Sequence, residues 1–306
     1  MILEAFMENR DFTALKTEIK ANAEAVEAAL TQLCSRNDDE IGLIFDAQRY
    51  SLLGGGKRVR PFIVNQVCKM LGGNIEASMP LACAIEMIHC YSLVHDDLPC
   101  MDDDDVRRGK PSNHKQFGYA HALLAGDALL TNAFATIAEA ETLSGDQKAE
   151  AVRLLAYAAG DCGMIGGQIM DLHGETAELE FEQLIRLHSM KTGALISCSA
   201  QLGCLAAGYA ADSDEATRLA DYAKKIGVAF QIVDDALDEV ADEAELGKNV
   251  GSDAGHNKTT FLTYYDAEAA MEYARKLTAE AIDEISHIKG YEILADFAYC
   301  LLERTN

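Results

Sequence analysis

The stretch AIEMIHCYSLVHDDLPCMDDDDVRRGK, which runs from Ala84 to Lys110, joins an apolar segment to a dense acidic cluster. Six aspartates occupy the ten positions from Asp96 to Asp105, and basic residues follow at once. Like charges this close repel each other unless cations or hydrogen bonds compensate them. Apolar residues on nearly every side are typical of a helix buried in a core. The stretch therefore predicts a core helix that ends in a group of carboxylates facing an interior cleft.

A second acidic cluster, QIVDDALDE, again follows an apolar helical run. Asp234 and Asp238 are four residues apart, so their Cβ atoms lie roughly 6 Å apart on one helix face. Asp96 and Asp102 would lie on different faces of an ideal helix. Pro99 between them disturbs the regular turn, so a local bulge could bring both carboxylates to one side. Carboxylate-only ligand sets suit magnesium, which is usually shared with substrate phosphates.

Basic residues accompany these clusters. The segment GGGKRVRP, from Gly54 to Pro61, places Lys57, Arg58 and Arg60 after three glycines that let backbone approach an anion. An alternative interpretation of the three glycines is that they end an exposed helix. An alternative interpretation of Asp103–Asp105, taken alone, is that they are solvated surface residues. Cations beside paired carboxylates nevertheless favour a polyphosphate site bridged by metal. Further candidate cations are Arg107, Arg108, Lys191, Lys248 and Lys258.

Composition excludes several classes of protein. The formal net charge of −24 argues against nucleic-acid binding, which needs a basic surface. The nine cysteines are scattered without CxxC spacing, so we expect neither disulfides nor a zinc site, and a reducing cytoplasm. The N-terminal residues lack the basic start of a signal peptide. No run reaches about 18 uninterrupted apolar residues, so we expect no membrane span.

Helix is the predicted secondary structure throughout. All four prolines lie between Pro61 and Pro111, and the rest of the chain is rich in strong helix formers. Helices are predicted at 61–73, 212–240 and 266–288. There is no alternating β-branched run, no Asn-Gly hairpin and no linker. We therefore predict one all-α domain, residues 1–306, of roughly ten or more helices.

These motifs resemble those of trans-prenyltransferases, the polyprenyl synthetase family, and are most similar to bacterial-type farnesyl diphosphate synthases. The resemblance rests on two aspartate-rich motifs, DDLPCMD and DDALD, in an all-α chain. It extends in family order over most of the sequence. The matching segments are GGGKRVRP, IHCYSLVHDDLPCMDDDDVRRGKPSNH, LLAGDALL, GGQIMDL, MKTGALI, FQIVDDALD, LGKNVGSD and NKTTF.

The resemblance implies an isoprenoid synthase fold, with helices around a central cavity, assembled as a homodimer. It also implies about three Mg²⁺ ions held with an allylic diphosphate. The implied metal ligands are Asp96, Asp102 and Asp234. The implied contacts to the allylic diphosphate are Arg107, Lys191, Lys248 and Lys258. The implied contacts to isopentenyl diphosphate are Lys57, Arg60, His89 and Arg108. Lys191, Thr192 and Gln231 are the residues implied to stabilise an allylic cation.

The implied reaction is the head-to-tail condensation of isopentenyl diphosphate with dimethylallyl and then geranyl diphosphate. Product length would depend on Tyr91 and Ser92, one helical turn before Asp96. An aromatic residue at Tyr91 favours farnesyl diphosphate over geranylgeranyl diphosphate, the alternative product. A lone tyrosine in an apolar run is also an ordinary core residue.

Two competing functions are weaker. A class I terpene cyclase would share the first aspartate motif, but it typically replaces the second and needs no GGGKRVRP segment for a second diphosphate. A non-catalytic prenyltransferase-like subunit typically loses aspartates from the metal motifs, and here all are present. Many family members also end in a basic tail, whereas this chain ends LLERTN.

Overall fold

The protein is described by a computed structural model that covers residues 10–245 and 259–303, without the side chains of 238–245. α-Helices make up most of it, which confirms the predicted fold class. In chain order they are α1 (Thr13–Leu33), α2 (Gly42–Leu52), α3 (Val59–Met70), α4 (Ile75–Asp96), α5 (Asn113–Phe117), α6 (Tyr119–Glu139), α7 (Gly145–Ala159), α8 (Met164–Gly174), α9 (Phe181–His188), α10 (Ala194–Ala206), α11 (Asp214–Glu245), α12 (Ala267–Ile285) and α13 (Glu292–Leu302). A π-helical turn (Ser189–Gly193) follows α9, and a 3-10 turn (Phe261–Thr263) precedes α12.

A short hairpin departs from the all-helical prediction. Strand β1 (Val106–Arg107) pairs antiparallel with β2 (Lys110–Pro111). Arg108 and Gly109, which connect them, have φ angles of 53° and 71°. Positive φ at both central residues is typical of the tight turns that join two strands. The hairpin was missed because Arg-Gly replaces the usual Asn-Gly and the strands are only two residues long.

Helix α4 begins at a cap and then runs through the core. The side chain of Asn74 accepts a hydrogen bond from the backbone N–H of Glu76, which satisfies one donor at the helix start. Among the described residues, α4 is long and apolar enough to cross a membrane, but 72% of its most apolar window is buried inside the fold. Its apolar residues are thus accounted for by packing, as in the core helix of a globular protein.

The chain divides into two compact units. One contains residues 16–153 and 202–210, in which α4 packs against α3 and α6. The other contains 154–201, the residues from 211 onward and those up to 15, and in it α11 packs against α12 and the π-helical turn. The expectation that 1–306 form a single domain stays a prediction.

The nine cysteines all lie in the described part of the chain. All nine are free thiols there. Burial raises the pKa values of Cys83, Cys90 and Cys198 to about 12. At neutral pH these three thiols are protonated and serve as small apolar residues of the core.

Candidate active site

The first aspartate motif folds back on itself where α4 ends. The backbone N–H of Asp102 donates to the carbonyl oxygen of Asp96 at 2.9 Å, and that of Leu98 donates to His95 at 3.1 Å. The chain therefore turns back around Pro99, and the expectation that both carboxylates point to one side stays a prediction. This turn brings the backbones of Asp96 and Asp102 together, and both residues remain partly exposed.

The middle aspartate of the motif has a different environment. Asp97 is buried, with 2% of its surface exposed. The Nε and Nη2 atoms of Arg107 donate to its Oδ1 at 2.8 and 2.5 Å, and Nη2 also reaches Asp104 at 3.0 Å. Burial raises the pKa of Asp97, and Arg107 opposes that shift. Part of the basic run after the motif therefore neutralises the motif itself.

Three neighbours of the motif form a further polar group. Three potential metal-ligand atoms lie within 4.8 Å of one another, and they belong to Asp103, Asp105 and His114. The two aspartates are exposed, and Lys115 Nζ lies 2.6 Å from Asp105 Oδ1. This arrangement fits the solvated-surface interpretation of Asp103–Asp105, because a lysine already compensates one carboxylate.

The glycine-rich loop lies against Arg108. Gly55 and Gly56 have φ angles of 88° and 124°, where side chains are disfavoured. A Cβ atom on Gly56 would lie 3.1 Å from the guanidinium carbon of Arg108, and Nη1 of Arg108 donates to the carbonyl oxygen of Gly55. The glycines thus permit a close approach between the loop and an arginine 53 positions later in the chain.

Arg60 and His89 belong to the same unit, and their pKa values report their surroundings. Desolvation lowers the pKa of Arg60 to about 10, with Glu86 opposing and Arg108 reinforcing the shift. Arg60 remains cationic at neutral pH. Desolvation and several arginines, foremost Arg60 and Arg108, hold the pKa of His89 well below its usual value. His89 is therefore a neutral hydrogen-bonding side chain at pH 7.

Glu86 was not singled out in the sequence, and Arg58 was named only as one of the basic residues of the GGGKRVRP segment. Arg58 Nη1 donates to Glu86 Oε1 at 2.7 Å, and 1% and 3% of the two side chains are exposed. A single acid inside the apolar run AIEMIHC was the available signal, because a glutamate is almost never fully buried unless it is paired. Spacing alone could not show which cation pairs with it.

Tyr91 and Ser92 lie one turn before Asp96 on α4. Tyr91 is 4% exposed, and its ring meets that of His95 edge-to-face at 5.7 Å. Burial, with a contribution from Asp96, raises the pKa of Tyr91 to about 12, and its hydroxyl lacks a hydrogen-bond partner. Ser92 Oγ donates to the carbonyl oxygen of His89 at 2.9 Å. Tyr91 is thus the large side chain packed behind the first motif.

The second unit joins the π-helical turn to α8 and α11. Thr192 Oγ1 donates to Gln231 Oε1 at 2.8 Å, and Lys191 Nζ donates to Asp171 Oδ2 at 2.5 Å. π-Helical turns occur frequently at functional sites because they re-aim side chains within a helix. Thr192 and Gln231, predicted from the resemblance, are therefore in direct contact. Asp171 was not predicted, although it lies in the quoted segment GGQIMDL.

Two glycines allow this close packing. A Cβ atom on Gly167 would lie 2.3 Å from the backbone nitrogen of Lys191, and one on Gly227 would lie 2.9 Å from Cα of Gly193. Neither position has room for a side chain. Beside Gly167, the Nε2 atom of Gln168 is buried without a hydrogen-bond partner. Gln168 is a second polar residue that sequence reasoning left out.

The second aspartate motif lies on α11, and Asp234 is partly buried there. Asp235 Oδ2 accepts a hydrogen bond from the backbone N–H of Phe261 at 2.9 Å, and His188 Nε2 lies 3.8 Å from the same oxygen. Burial lowers the pKa of His188 to about 4, so it is neutral at pH 7. Asp235 thus tethers the 3-10 turn, which begins at the last residue of the NKTTF segment. The side chain of Asp238, and both Lys248 and Lys258, lie outside the described residues.

A family model, related sequences and solved structures all show that the chain is similar to proteins of one family. The polyprenyl synthetase family matches residues 42–291. A geranylgeranyl diphosphate synthase from Cyanophora paradoxa is 40% identical over 289 residues, 92% of this chain and 95% of that protein. A farnesyl diphosphate synthase from Geobacillus stearothermophilus is 44% identical over 251 residues, 81% and 84% of the two chains. The crystal structure of an FPP/GFPP synthase from Zymomonas mobilis has a TM-score of 0.84 and 35% identity, and covers 95% of this chain and 100% of that one.

The two aspartate-rich motifs, the glycine-rich basic loop and the Thr192–Gln231 contact therefore occur in a chain whose likeness to prenyl diphosphate synthases extends over most of its length. The structural likeness at 35% identity places the helices in the isoprenoid synthase fold. With these likenesses, the protein is a short-chain trans-prenyl diphosphate synthase. Members of its family use metal ions. The chain belongs to the polyprenyl synthetase family and is a prenyltransferase.

Proposed function

We propose that this prenyltransferase makes farnesyl diphosphate, by adding isopentenyl diphosphate first to dimethylallyl diphosphate and then to geranyl diphosphate. The observation that carries the proposal is the buried Tyr91 ring, one turn before Asp96 on α4. A growing chain that extends from the first motif along this helix meets an aromatic side chain there. Relatives of both product classes are similar to this chain, so geranylgeranyl diphosphate is the alternative product.

Asp96, Asp102 and Asp234 are proposed to hold magnesium. Carboxylate oxygens are the donors that Mg²⁺ prefers, and the hydrogen bond between Asp102 and Asp96 keeps the two outer aspartates of the first motif together. Bound magnesium would neutralise charge on the allylic diphosphate as it leaves. Asp97 takes no part in this set, because its carboxylate is engaged by Arg107.

Lys57, Arg60, His89 and Arg108 are proposed to bind the diphosphate of isopentenyl diphosphate. Arg60 remains cationic, while the depressed pKa of His89 makes it a neutral hydrogen-bonding group. Positive charge beside the glycine-rich loop suits a diphosphate, since backbone N–H groups and guanidinium groups both donate to phosphate oxygens. A terpene cyclase would not need this site, because its reaction involves no second diphosphate.

The allylic diphosphate is proposed to lie with Arg107, Lys191, Lys248 and Lys258. These cations favour cleavage of the allylic C–O bond, in which both bonding electrons leave with the diphosphate. The carbon left behind is a cation. The Thr192 hydroxyl, the Lys191 carbonyl and the Gln231 amide oxygen supply negative dipoles that stabilise it. The 2.8 Å contact between Thr192 and Gln231 supports this role, because it fixes both side chains beforehand.

Bond formation then needs no protein nucleophile. The double bond of isopentenyl diphosphate supplies the electron pair for the new C–C bond, and a proton leaves the adjacent carbon to form the new double bond. The released diphosphate accepts that proton. We further propose that the enzyme works in the cytoplasm as a homodimer.

One assay tests the proposed function. The purified protein is supplied with Mg²⁺, dimethylallyl diphosphate and labelled isopentenyl diphosphate, and the products are separated by chain length. Magnesium-dependent formation of farnesyl diphosphate as the main product supports the proposal. A main product of geranylgeranyl diphosphate would contradict the product assignment, and absence of any condensation would contradict the function.

A further inference from the structure

The buried Arg58–Glu86 ion pair stands behind the proposed isopentenyl diphosphate contacts without belonging to them. Arg58 Nη1 donates to Glu86 Oε1 at 2.7 Å, and Nη2 donates to the carbonyl oxygen of Leu52 at 2.6 Å. Leu52 ends α2, Arg58 precedes α3, and Glu86 lies in the middle of α4. A single guanidinium therefore joins three helices around the glycine-rich loop.

The backbone at Arg58 is unfavourable on its own. Its φ and ψ angles are 49° and 46°, in the left-handed region that residues with a side chain rarely adopt. Such a conformation persists only where the surrounding structure holds it. Here the two side-chain hydrogen bonds of Arg58 supply that constraint. The strained residue lies directly after Lys57 and two residues before Arg60, so its conformation sets the direction of both.

Charge supports the same interpretation. Glu86 favours the cationic form of Arg60, whereas Arg108 disfavours it. The two terminal nitrogens of Arg58 have Glu86 and Leu52 as partners, whereas Nε of both Arg58 and Arg60 is buried without a hydrogen-bond partner. One carboxylate among the three guanidinium groups of Arg58, Arg60 and Arg108 leaves a net charge of 3 − 1 = +2. A diphosphate would supply negative charge to this cationic cluster.

We propose that the Arg58–Glu86 ion pair positions the glycine-rich loop for the diphosphate of isopentenyl diphosphate. Arg58 and Glu86 are positioning residues: they hold Lys57 and Arg60 in place and do not contact the substrate. The inference rests on the proposed function, because it takes Lys57 and Arg60 as ligands of that diphosphate.

The test replaces the pair by apolar residues of similar size, in the double variant Arg58→Met/Glu86→Leu. Removing both charges together avoids an unpaired buried charge, and such replacements often preserve folding. We expect the KM for isopentenyl diphosphate to rise about tenfold or more, with kcat and the KM for dimethylallyl diphosphate changed by less than about threefold. The control is Glu150→Gln/Arg153→Gln, which removes an ion pair at the surface of the same unit, with 30% and 62% of the two side chains exposed.

Each outcome decides the proposal. A folded double variant with unchanged KM values, or with equal rises for both substrates, overturns it, because a purely structural pair would not single out one substrate. Should the double variant fail to fold, Arg58→Lys decides. It keeps the charge, but an ammonium group does not reproduce the forked contacts to Glu86 and Leu52. A selective rise in the KM for isopentenyl diphosphate supports positioning, and an unchanged value overturns it.

A binding measurement separates this inference from the proposed function. Inactivity of the wild-type enzyme would count against the function only. Calorimetric titration with inorganic pyrophosphate, without metal, then compares diphosphate binding by the wild type and by the folded variant. Binding weakened about tenfold in the variant supports the positioning role, and equal binding overturns it.

Discussion

The backbone N–H of Asp102 donates to the carbonyl oxygen of Asp96 at 2.9 Å, so the outer aspartates of the first motif are neighbours although six positions separate them. Between them in sequence, Asp97 turns inward and pairs with Arg107 at 2.5 Å. The motif therefore divides its carboxylates: the outer two are proposed to bind magnesium, and the middle one anchors an arginine.

Asp96→Ala and Asp234→Ala should each lower kcat about a hundredfold or more, because they remove ligands that stabilise charge on the leaving diphosphate. Their melting temperatures without magnesium should equal or exceed that of the wild type, since crowded like charges are relieved. The control is Asp212→Ala, at an exposed aspartate outside the motifs. An active Asp234→Ala enzyme would contradict the proposal that Asp234 is a magnesium ligand.

Arg60→Ala should act on one substrate. The guanidinium is proposed to bind isopentenyl diphosphate in the ground state and the transition state alike, so its loss should raise that KM by about tenfold with little change in kcat. Steady-state kinetics with each substrate varied in turn measure this. Lys69→Ala, which removes an exposed lysine of the same helix, is the control. A rise confined to the KM of the allylic substrate would assign Arg60 to the other diphosphate.

Tyr91→Ala should shift products towards geranylgeranyl diphosphate or longer chains, because it removes the aromatic ring behind the first motif. Loss of a buried aromatic side chain also costs about 3 kcal/mol in the free energy of unfolding. Tyr91→Phe is the matched control, since the hydroxyl has no hydrogen-bond partner and the ring is the part proposed to limit growth. Chromatography of the products measures chain length. An unchanged distribution in Tyr91→Ala would mean that a deeper residue stops the chain.

Stability should fall as the pH is lowered from about 6.5 towards 4, and His188 should contribute to this. Its pKa is about 4 in the folded protein and 6.5 ordinarily, so the unfolded chain binds the proton more readily. Protonation of His188 should therefore lower the free energy of unfolding by about 3 kcal/mol across this range. His89 acts in the same direction.

Urea unfolding at pH 7.5 and pH 4.5 measures the effect. His188→Gln should show a smaller loss between the two values than the wild type, and the exposed His287→Gln should not. Identical losses in all three proteins would show that protonation of His188 is not coupled to unfolding.

The sequence by itself determined the helical class and the segments that carry chemistry. Proline at the first turn and glycine at the end predicted the helix that is observed as Val59–Met70, and the helix predicted at 266–288 is observed as Ala267–Ile285. These features are local, because helix start, helix end and the apolar face are set by residues a few positions apart. The order of the quoted motifs then indicated the family.

Tertiary structure alone decided which charges meet. Nothing in the spacing shows that Glu86 pairs with Arg58 across 28 positions, or that Lys191 pairs with Asp171 across 20. Gly167 likewise resembles any glycine until its helix packs against the backbone of Lys191. The physical reason is that hydrogen bonds and ion pairs depend on atoms brought to within about 3 Å, and docking of whole helices, which a local pattern does not encode, sets those distances.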